Sequence, residues 1–310
     1  MTTLLVTHAA CLGHDTAPGH PESPARLRAV LQALDAPAFD ALRRIEAPLA
    51  TREQLMLVHP ETHVDAVLRA IPEAGFGRID ADTIVSPGSG KAALRAAGAL
   101  IAAVDAVMTG GADNAFCAIR PPGHHAEPMQ SMGFCLFNNV AVGALHAIRA
   151  HGIARVAVMD FDVHHGNGTQ AMFEQDPALF YASTHQSPLY PGTGSLHERG
   201  IANNILNAPL QPGAGSDAFR DAMSASVLPA IEKFAPDLLL ISAGFDAHAA
   251  DPLAQLALTT EDFAWATREL CALAGRCCAG RVVSTLEGGY DLDALAAASA
   301  AHVRVLMEAA

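Results

Sequence analysis

One stretch, Arg155-Val-Ala-Val-Met-Asp-Phe-Asp-Val-His-His-Gly-Asn-Gly-Thr169, constrains the fold more than any other part of the sequence. It begins as an apolar run with the length and branching of a buried strand, and then changes to acids, imidazoles and glycines. Open α/β sheets carry their functional side chains at the carboxyl ends of such strands. If the chain stays extended beyond the apolar run, Asp160, Asp162 and His164 share one face, because side chains repeat with a period of two. Carboxylate and imidazole groups at this spacing favour zinc or a similar divalent ion, and iron(II) or cobalt would suit the same ligands.

A solvated junction between a strand and a loop is the alternative interpretation of this stretch. It would place two acids and two imidazoles beside a buried strand without partners, at a high cost in desolvation. The metal site is therefore the favoured interpretation.

Strands and helices alternate along the whole chain, and 51% of the residues are hydrophobic, which is enough for a large core. Such alternation is typical of a parallel sheet covered by helices, so we expect a single α/β domain spanning residues 1–310. The predicted strands are Leu4–His8, Ala115–Ile119, Arg155–Phe161, Leu179–Ser183, Asp237–Ser242 and Arg281–Leu286, and the main predicted helices are a segment beginning at Ser23-Pro24, Lys91–Met108, Phe137–His151, Ser216–Lys233 and Thr260–Leu273.

Composition excludes several classes of function. The formal net charge is −13 and there is no basic block, so we expect no direct binding to nucleic acid and a mild attraction for cationic partners. The six cysteines show neither C-x-x-C spacing nor a regular framework. The N-terminal segment lacks the features of a signal peptide, and no apolar run is long enough to span a bilayer. We therefore expect a reduced, cytoplasmic protein without a membrane partner.

Polar residues follow four of the predicted strands. Because the carboxyl ends of parallel strands face one edge of a sheet, these groups can meet in one crevice. Asp246 would then join Asp162 and His164 as a third ligand, which leaves a coordination position open, as in catalytic metal sites. Water bound there would be acidified enough to act as a nucleophile. The four polar segments are Arg120–His125, Asp160–Asn167, Gly244–Asp246 and Glu287–Tyr290.

The other polar residues of this crevice are of types that transfer protons and stabilise developing charge. An imidazole from His124-His125 could take a proton from the water and return it to the leaving amine. Asp160 and Asn167 could fix the histidine tautomers, and Tyr290 could donate its hydroxyl to a developing oxyanion. Each motif alone is more typical of an ordinary loop, and their combination at matched strand ends favours the functional interpretation.

At this point six motifs resemble the zinc-dependent histone deacetylase family, with its bacterial amidohydrolase and acetylpolyamine amidohydrolase relatives. They occur in the family's order and cover nearly the whole chain. The resemblance implies the arginase/deacetylase fold, a three-layer α/β/α sandwich with a mostly parallel sheet of about eight strands. The motifs are Pro121-Pro-Gly-His-His-Ala126, Gly133-Phe-Cys-Leu-Phe-Asn-Asn139, Asp160-Phe-Asp-Val-His-His-Gly-Asn-Gly-Thr169, Tyr190-Pro-Gly-Thr-Gly194, Ser242-Ala-Gly-Phe-Asp246 and Leu286-Glu-Gly-Gly-Tyr290.

The resemblance also implies a role for each site residue. One zinc ion per chain would be bound by Asp162, His164 and Asp246, His125 would be the general base and acid, His124 its electrostatic partner oriented by Asp160, and Tyr290 would polarise the scissile carbonyl. A structural potassium ion would match Asp160, Asp162, His164, Ser183 and Thr184, and a second one the region of Phe173, Asp176, Leu179 and Asn204. Gly133, Phe134 and Tyr190 fall at the wall of an acyl-lysine tunnel, and Arg26 near an internal channel for acetate exit.

Two positions refine the comparison within the family. Asn167 is typical of the class II enzymes, and its neutral amide should leave His125 less basic than an Asp partner would. Leu253 stands where polyamine-selective relatives have a Glu that binds the distant ammonium, so it favours an acetyl-lysine-like substrate.

Three alternatives remain open at the level of the sequence. The nearest is an acetylpolyamine or other small-molecule amidohydrolase with the same machinery. A non-catalytic acyl-lysine binder is less favoured, since a binder needs neither the His124-His125 pair nor Tyr290. An arginase-like binuclear manganese hydrolase is disfavoured by Gly166, which offers no ligand for a second metal. The loop Cys11–Pro24 is our expectation for a homo-oligomer interface or for part of the tunnel rim.

Overall fold

Eight parallel strands form the central sheet in a computed structural model, which describes residues 2–309 of the chain. Counting a separate pair, residues 2–309 contain ten strands, which are β1 (Thr3–Thr7), β2 (Arg43–Glu46), β3 (Gly77–Arg78), β4 (Ile84–Val85), β5 (Asn114–Cys117), β6 (Val156–Asp160), β7 (Leu179–Gln186), β8 (Ile205–Leu210), β9 (Leu238–Ala243) and β10 (Val282–Leu286). The order in the large sheet is β2-β1-β5-β10-β9-β6-β7-β8, and every neighbouring pair is parallel. Strands β3 and β4 form a separate antiparallel pair.

Helices flank this sheet and complete the predicted three-layer α/β/α sandwich. They are α1 (Pro24–Leu34), α2 (Arg52–Leu55), α3 (Glu61–Arg69), α4 (Ser89–Met108), α5 (Asn139–His151), α6 (Asn167–Phe173), α7 (Ser216–Ala222), α8 (Leu228–Phe234), α9 (Thr260–Cys277) and α10 (Leu292–Ala309). A π-helical turn over Met223–Val227 joins α7 to α8, so the predicted helix 216–233 is one interrupted helix. None of the helices within residues 2–309 combines the length and the apolar character needed to cross a bilayer.

The inner strands are the ones that sequence pattern predicts, and burial explains why. Every residue of β5, β6, β9 and β10 is buried, because helices cover the sheet on both faces and the strands are continuously apolar. The apolar pattern of the sequence does not predict the edge strands β2 and β8. Strand β2 is polar and mostly exposed, and β8 is only partly buried, so neither carries a continuous apolar run.

The central strand ends earlier than expected. Strand β6 stops at Asp160, and the chain bends over residues 162–164 instead of staying extended to His164. The bend is shaped by side chains, since Oδ1 of Asp160 accepts from the backbone N–H of Asp162 at 3.1 Å and Oδ1 of Asp162 accepts from that of His164 at 2.9 Å. Short acidic side chains form such turns readily. The bend places the side chains of Asp162 and His164 together at the carboxyl edge of the sheet.

Candidate active site

Two carboxylates and one imidazole converge where β6 and β9 end. One ligand atom from each of Asp162, His164 and Asp246 lies within 4.8 Å of the others, and all three residues are buried. Nδ1 of His164 is 3.0 Å from Oδ1 of Asp162 and 3.2 Å from Oδ2 of Asp246. Backbone N–H groups hold both carboxylates, from Gly288 to Asp162 at 2.8 Å and from Val163 to Asp246 at 2.9 Å. The trio is thus a rigid cluster of the type that the sequence predicts.

The charge balance of this trio fits a bound cation. Burial lowers the pKa of His164, but the carboxylates of Asp162 and Asp246 outweigh burial and raise it. Burial and the nearby Asp162 raise the pKa of Asp246, whose Oδ2 is buried without a hydrogen-bond partner. Two carboxylate oxygens and one imidazole nitrogen, with one acceptor unsatisfied, are a donor set that suits zinc or a similar divalent ion.

Gly288 makes this close packing possible. A Cβ atom at that position would overlap Oδ2 of Asp246 and would lie only 2.6 Å from Oδ2 of Asp162. No real Cβ approaches an oxygen so closely, so any side chain here would displace both carboxylates. The Gly-Gly-Tyr motif therefore supplies space for the trio as well as its tyrosine.

His124 and His125 lie beside the trio with their ring centroids 4.0 Å apart. Nδ1 of His124 is 3.0 Å from Oδ2 of Asp160, which also accepts from the Tyr181 hydroxyl at 3.0 Å. Burial lowers the pKa of His124, but the carboxylates of Asp162 and Asp160 outweigh burial and raise it well above its ordinary value. Burial, together with the positive charge of His124, holds the pKa of His125 well below its ordinary value. The pKa values of the two neighbouring imidazoles are thus shifted in opposite directions.

A chain of three residues fixes the tautomer of His125. Nδ2 of Asn167 lies 2.7 Å from Oε1 of Glu127, and a carboxylate can only accept, so the amide orientation is determined. Oδ1 of Asn167 then faces Nδ1 of His125 at 2.8 Å. Since Oδ1 is an acceptor, Nδ1 carries the proton and Nε2 keeps its lone pair. The sequence predicts Asn167 for this role and misses Glu127.

Tyr290 is half-buried and held on two sides. Its backbone N–H donates to Oδ2 of Asp251 at 2.7 Å, and the Arg26 guanidinium lies 4.8 Å from the centroid of its ring. Burial raises the pKa of Tyr290 well above its ordinary value, so the phenol keeps its proton and remains a donor. Oδ1 of Asp251 also accepts from the backbone N–H of Leu253 at 3.0 Å, which places Leu253 next to the Tyr290 segment.

Aromatic rings lie beside His125 and Tyr290, and their predicted role as the wall of a tunnel stays a prediction. The Tyr190 ring lies 5.1 Å from that of His125, and the Phe134 ring lies 6.0 Å from that of Tyr290. Phe134 has a φ of +68°, in the left-handed region that non-glycine residues rarely occupy. His20 packs edge-on against Phe134 at 4.8 Å, a contact that the sequence does not reveal.

A buried ionic network behind the site also escapes sequence analysis. Glu22 accepts from Nη1 of Arg26 at 3.0 Å and from Nη2 of Arg120 at 2.6 Å, and all three side chains are fully buried. Arg26 donates further to the carbonyls of Glu287 and Gly289, both at 2.5 Å. Arg26 is thus a support of the Tyr290 segment, and its predicted role in an exit channel stays a prediction.

Glu287 is a further residue whose role the motif does not reveal. One of its oxygens accepts from the backbone N–H of Gly123 at 2.7 Å, and the other from the Ser242 hydroxyl at 3.1 Å. It therefore ties together the ends of three strands that carry the site.

The residues predicted to hold potassium lie together beside the trio. Ser183 is the register partner of Asp160 across β6 and β7, and the Thr184 hydroxyl is buried without a hydrogen-bond partner. At the second predicted position, the carbonyl oxygens of three residues lie 2.8–3.0 Å from Nδ2 of an asparagine, whose two N–H groups they share; the residues are Asn204, Phe173, Asp176 and Leu179.

An eight-stranded parallel sheet that carries a possible metal-ligand trio and a histidine pair at its carboxyl edge is consistent with the arginase/deacetylase fold. Residues 20–306 match the family model described as the histone deacetylase domain. The chain therefore belongs to the histone deacetylase family.

Similar proteins come from bacteria, archaea and plants. The histone deacetylase-like amidohydrolase of Pseudomonas aeruginosa is 45% identical over 89% of this chain and 73% of its own length. The chloroplastic histone deacetylase 14 of Arabidopsis thaliana is 40% identical over 98% of this chain and 76% of its own. Among solved structures, the crystal structure of the HDA15 HD domain superposes with a TM-score of 0.93 at 37% identity, covering 99% of this chain and 88% of that one.

Proposed function

We propose that this protein is a zinc-dependent hydrolase that removes the acetyl group from an acetyl-lysine-like amine, and that residues 1–310 act as a single catalytic domain. The observation that carries the proposal is the buried Asp162, His164 and Asp246 trio beside a neutral imidazole of fixed tautomer. Zinc in such a trio supplies Lewis acidity and lowers the pKa of a water molecule toward neutrality.

The side chains of this protein would handle the protons. Because Nδ1 of His125 donates to Asn167, its Nε2 is the atom that accepts a proton from the attacking water and later returns it to the leaving amine. Positively charged His124 lies beside it and stabilises negative charge that develops on the substrate. Tyr290 remains protonated and donates its hydroxyl to the carbonyl oxygen.

We propose a structural potassium ion beside the trio as well. The unpaired and buried Thr184 hydroxyl and the adjacency of Ser183 to Asp160 support it. Such an ion would stabilise the loop that follows β6.

An acetylpolyamine hydrolase is a second candidate, and the charge around the tunnel mouth favours it. Burial raises the pKa of Tyr190, and the carboxylates of Asp82 and Asp80 add to this rise. Their segment borders the mouth, since the Thr83 hydroxyl accepts from the backbone N–H of Phe134 at 3.2 Å. An acidic rim would attract a polyamine, although it would also attract a basic peptide. Leu253 offers no charge to a distant ammonium, and it therefore favours the acetyl-lysine peptide over the polyamine as substrate.

The test is turnover of an acetyl-lysine peptide against N-acetylputrescine by zinc-loaded protein. We expect a higher kcat/KM for the peptide, and a loss of about 100-fold or more in Tyr290→Phe and in His125→Ala. A preference for N-acetylputrescine that weakens in Asp82→Asn would establish the second candidate with the same chemistry. Absence of turnover on both substrates would contradict the deacetylase proposal.

A further inference from the structure

A second cluster of metal-ligating side chains lies on the outer face of helices α4 and α5. Nε2 of His146 is 2.8 Å and Nε2 of His151 is 2.7 Å from the same oxygen, Oδ1 of Asp105. One ligand atom from each residue lies within 4.8 Å of the others. Apart from the trio at the active site, no other group of residues 2–309 meets this criterion.

This cluster is separate from the site described above. Helix α5 begins at Asn139, whose side chain donates to the carbonyl of Pro121 at 3.1 Å, close to the catalytic imidazoles. It ends at His151, and the intervening rise of 1.5 Å per residue places the two ends roughly 18 Å apart. An ion held by His146 and His151 would therefore touch none of the catalytic residues.

The packing of the two helices pre-forms the cluster. The imidazoles are mostly covered, with 12% and 17% of their side-chain surface exposed, whereas Asp105 is 48% exposed. Within residues 2–309, Asp105 pairs with these two histidines and with no Lys or Arg. The imidazoles are thus held in place by their neighbours, and the carboxylate is open to an ion arriving from solvent.

We propose that Asp105, His146 and His151 bind a divalent transition-metal ion, with zinc the first to test. Two imidazole nitrogens and a carboxylate oxygen are ligands typical of zinc. Ligand bonds of about 2.1 Å would place the three atoms of a tetrahedral site about 3.4 Å apart, so Oδ1 must withdraw by roughly 0.6 Å from each nitrogen. The half-exposed carboxylate has room to do so, and water would complete the coordination.

The ordinary alternative is that both imidazoles simply donate a hydrogen bond to the carboxylate. In that arrangement each Nε2 carries a proton, whereas an ion requires both Nε2 atoms deprotonated with the protons on Nδ1. Zinc binding would link α4 to α5 and stabilise the folded chain in proportion to its occupancy. The inference does not depend on the proposed catalytic function.

The test counts zinc ions per chain after equilibrium dialysis against buffered zinc chloride, in the wild-type protein and in the His146→Gln/His151→Gln double variant. The wild type is expected to hold one more zinc ion than the double variant, whatever the catalytic trio binds. Exposed His197 offers a matched control, and His197→Gln should keep the wild-type count. Equal counts in the wild type and the double variant would overturn the proposal.

A second measurement does not depend on the folding of any variant. Copper(II) bound to the wild-type protein should show, by pulsed electron paramagnetic resonance, a centre with two coordinated imidazoles. The catalytic trio contains only one imidazole ligand, so it cannot produce this signal. Absence of a two-imidazole centre at copper saturation would contradict the site. Deacetylation by the double variant should equal that of the wild type.

Discussion

Gly133 lies so close to the imidazole of His125 that no other residue fits at this position. Its φ is +56°, and a Cβ atom there would lie 2.5 Å from Cδ2 and 2.7 Å from Cγ of His125. The neighbouring ring is held from its other side by Asn167 and cannot move away without losing its 2.8 Å hydrogen bond. The position of the His125 ring therefore depends on the absence of a side chain at residue 133 as well as on the hydrogen bond to Asn167.

We expect Gly133→Ala to cut kcat/KM for an acetyl-lysine peptide by about 100-fold, because it misplaces the imidazole by a large fraction of an ångström. Gly110→Ala is the matched control: Gly110 has a φ of +74°, but a methyl group at that position would meet nothing within 4 Å. Both substitutions carry the left-handed backbone cost of about 1–2 kcal/mol, measurable by urea unfolding. Equal activity losses in the two variants would refute the steric argument.

At the scale of helices and strands, the carboxylate of Glu22 connects elements that are remote in sequence. It precedes α1, binds Arg120 just beyond β5, and through Arg26 reaches the carbonyls that follow β10. Burial raises the pKa of Glu22, but Arg120, His14 and Arg26 outweigh burial and lower it to about 2. The carboxylate thus contributes stability that is fully present above its ordinary pKa of 4.5 and is lost as the pH falls through about 2.

Glu22→Gln should lower the free energy of unfolding by about 3–5 kcal/mol, since it leaves two buried guanidinium groups without a carboxylate. It should also lower kcat, because Arg26 supports the ring of Tyr290. Glu61→Gln, which removes an exposed partner of Arg52 at 3.5 Å, is the control and should change stability little. If urea unfolding gives the same free energy of unfolding for both variants, the buried network contributes no more to stability than a surface ion pair.

Across the whole molecule, sequence pattern predicts what is local and misses what is long-range. The inner strands and the trio are predictable because continuous apolar runs and close motif spacings identify them. The edge strands β2 and β8 lack such runs, and α10 (Leu292–Ala309) is absent from the predicted helices. The pairing of Glu22 with Arg120 spans 98 positions, and nothing in either local sequence indicates the other. Asn167 is identified by its motif, whereas Glu127 is recognisable only from the hydrogen bond that it accepts.

The core of the molecule also holds a histidine whose neutrality links stability to pH. His302 on α10 is fully buried, with Nδ1 2.7 Å from the Thr267 hydroxyl and Nε2 2.8 Å from that of Ser284. Because the Thr267 hydroxyl donates to the carbonyl of Phe263 at 2.6 Å, it accepts from Nδ1, and the ring is the neutral tautomer with its proton there. Burial lowers the pKa of His302 from 6.5 to about 3.

Acid should therefore destabilise the fold through His302. The folded pKa lies below the unfolded one, so this contribution is fully present above pH 6.5 and is lost as the pH falls toward 3. Between about pH 7.5 and about pH 4.5 the loss from this residue alone is roughly 2.5 kcal/mol. Urea unfolding of His302→Gln should show a pH dependence smaller by that amount than the wild type, while His197→Gln should keep the wild-type dependence. An unchanged slope in His302→Gln would mean that the buried ring is protonated in the folded protein as readily as in the unfolded chain.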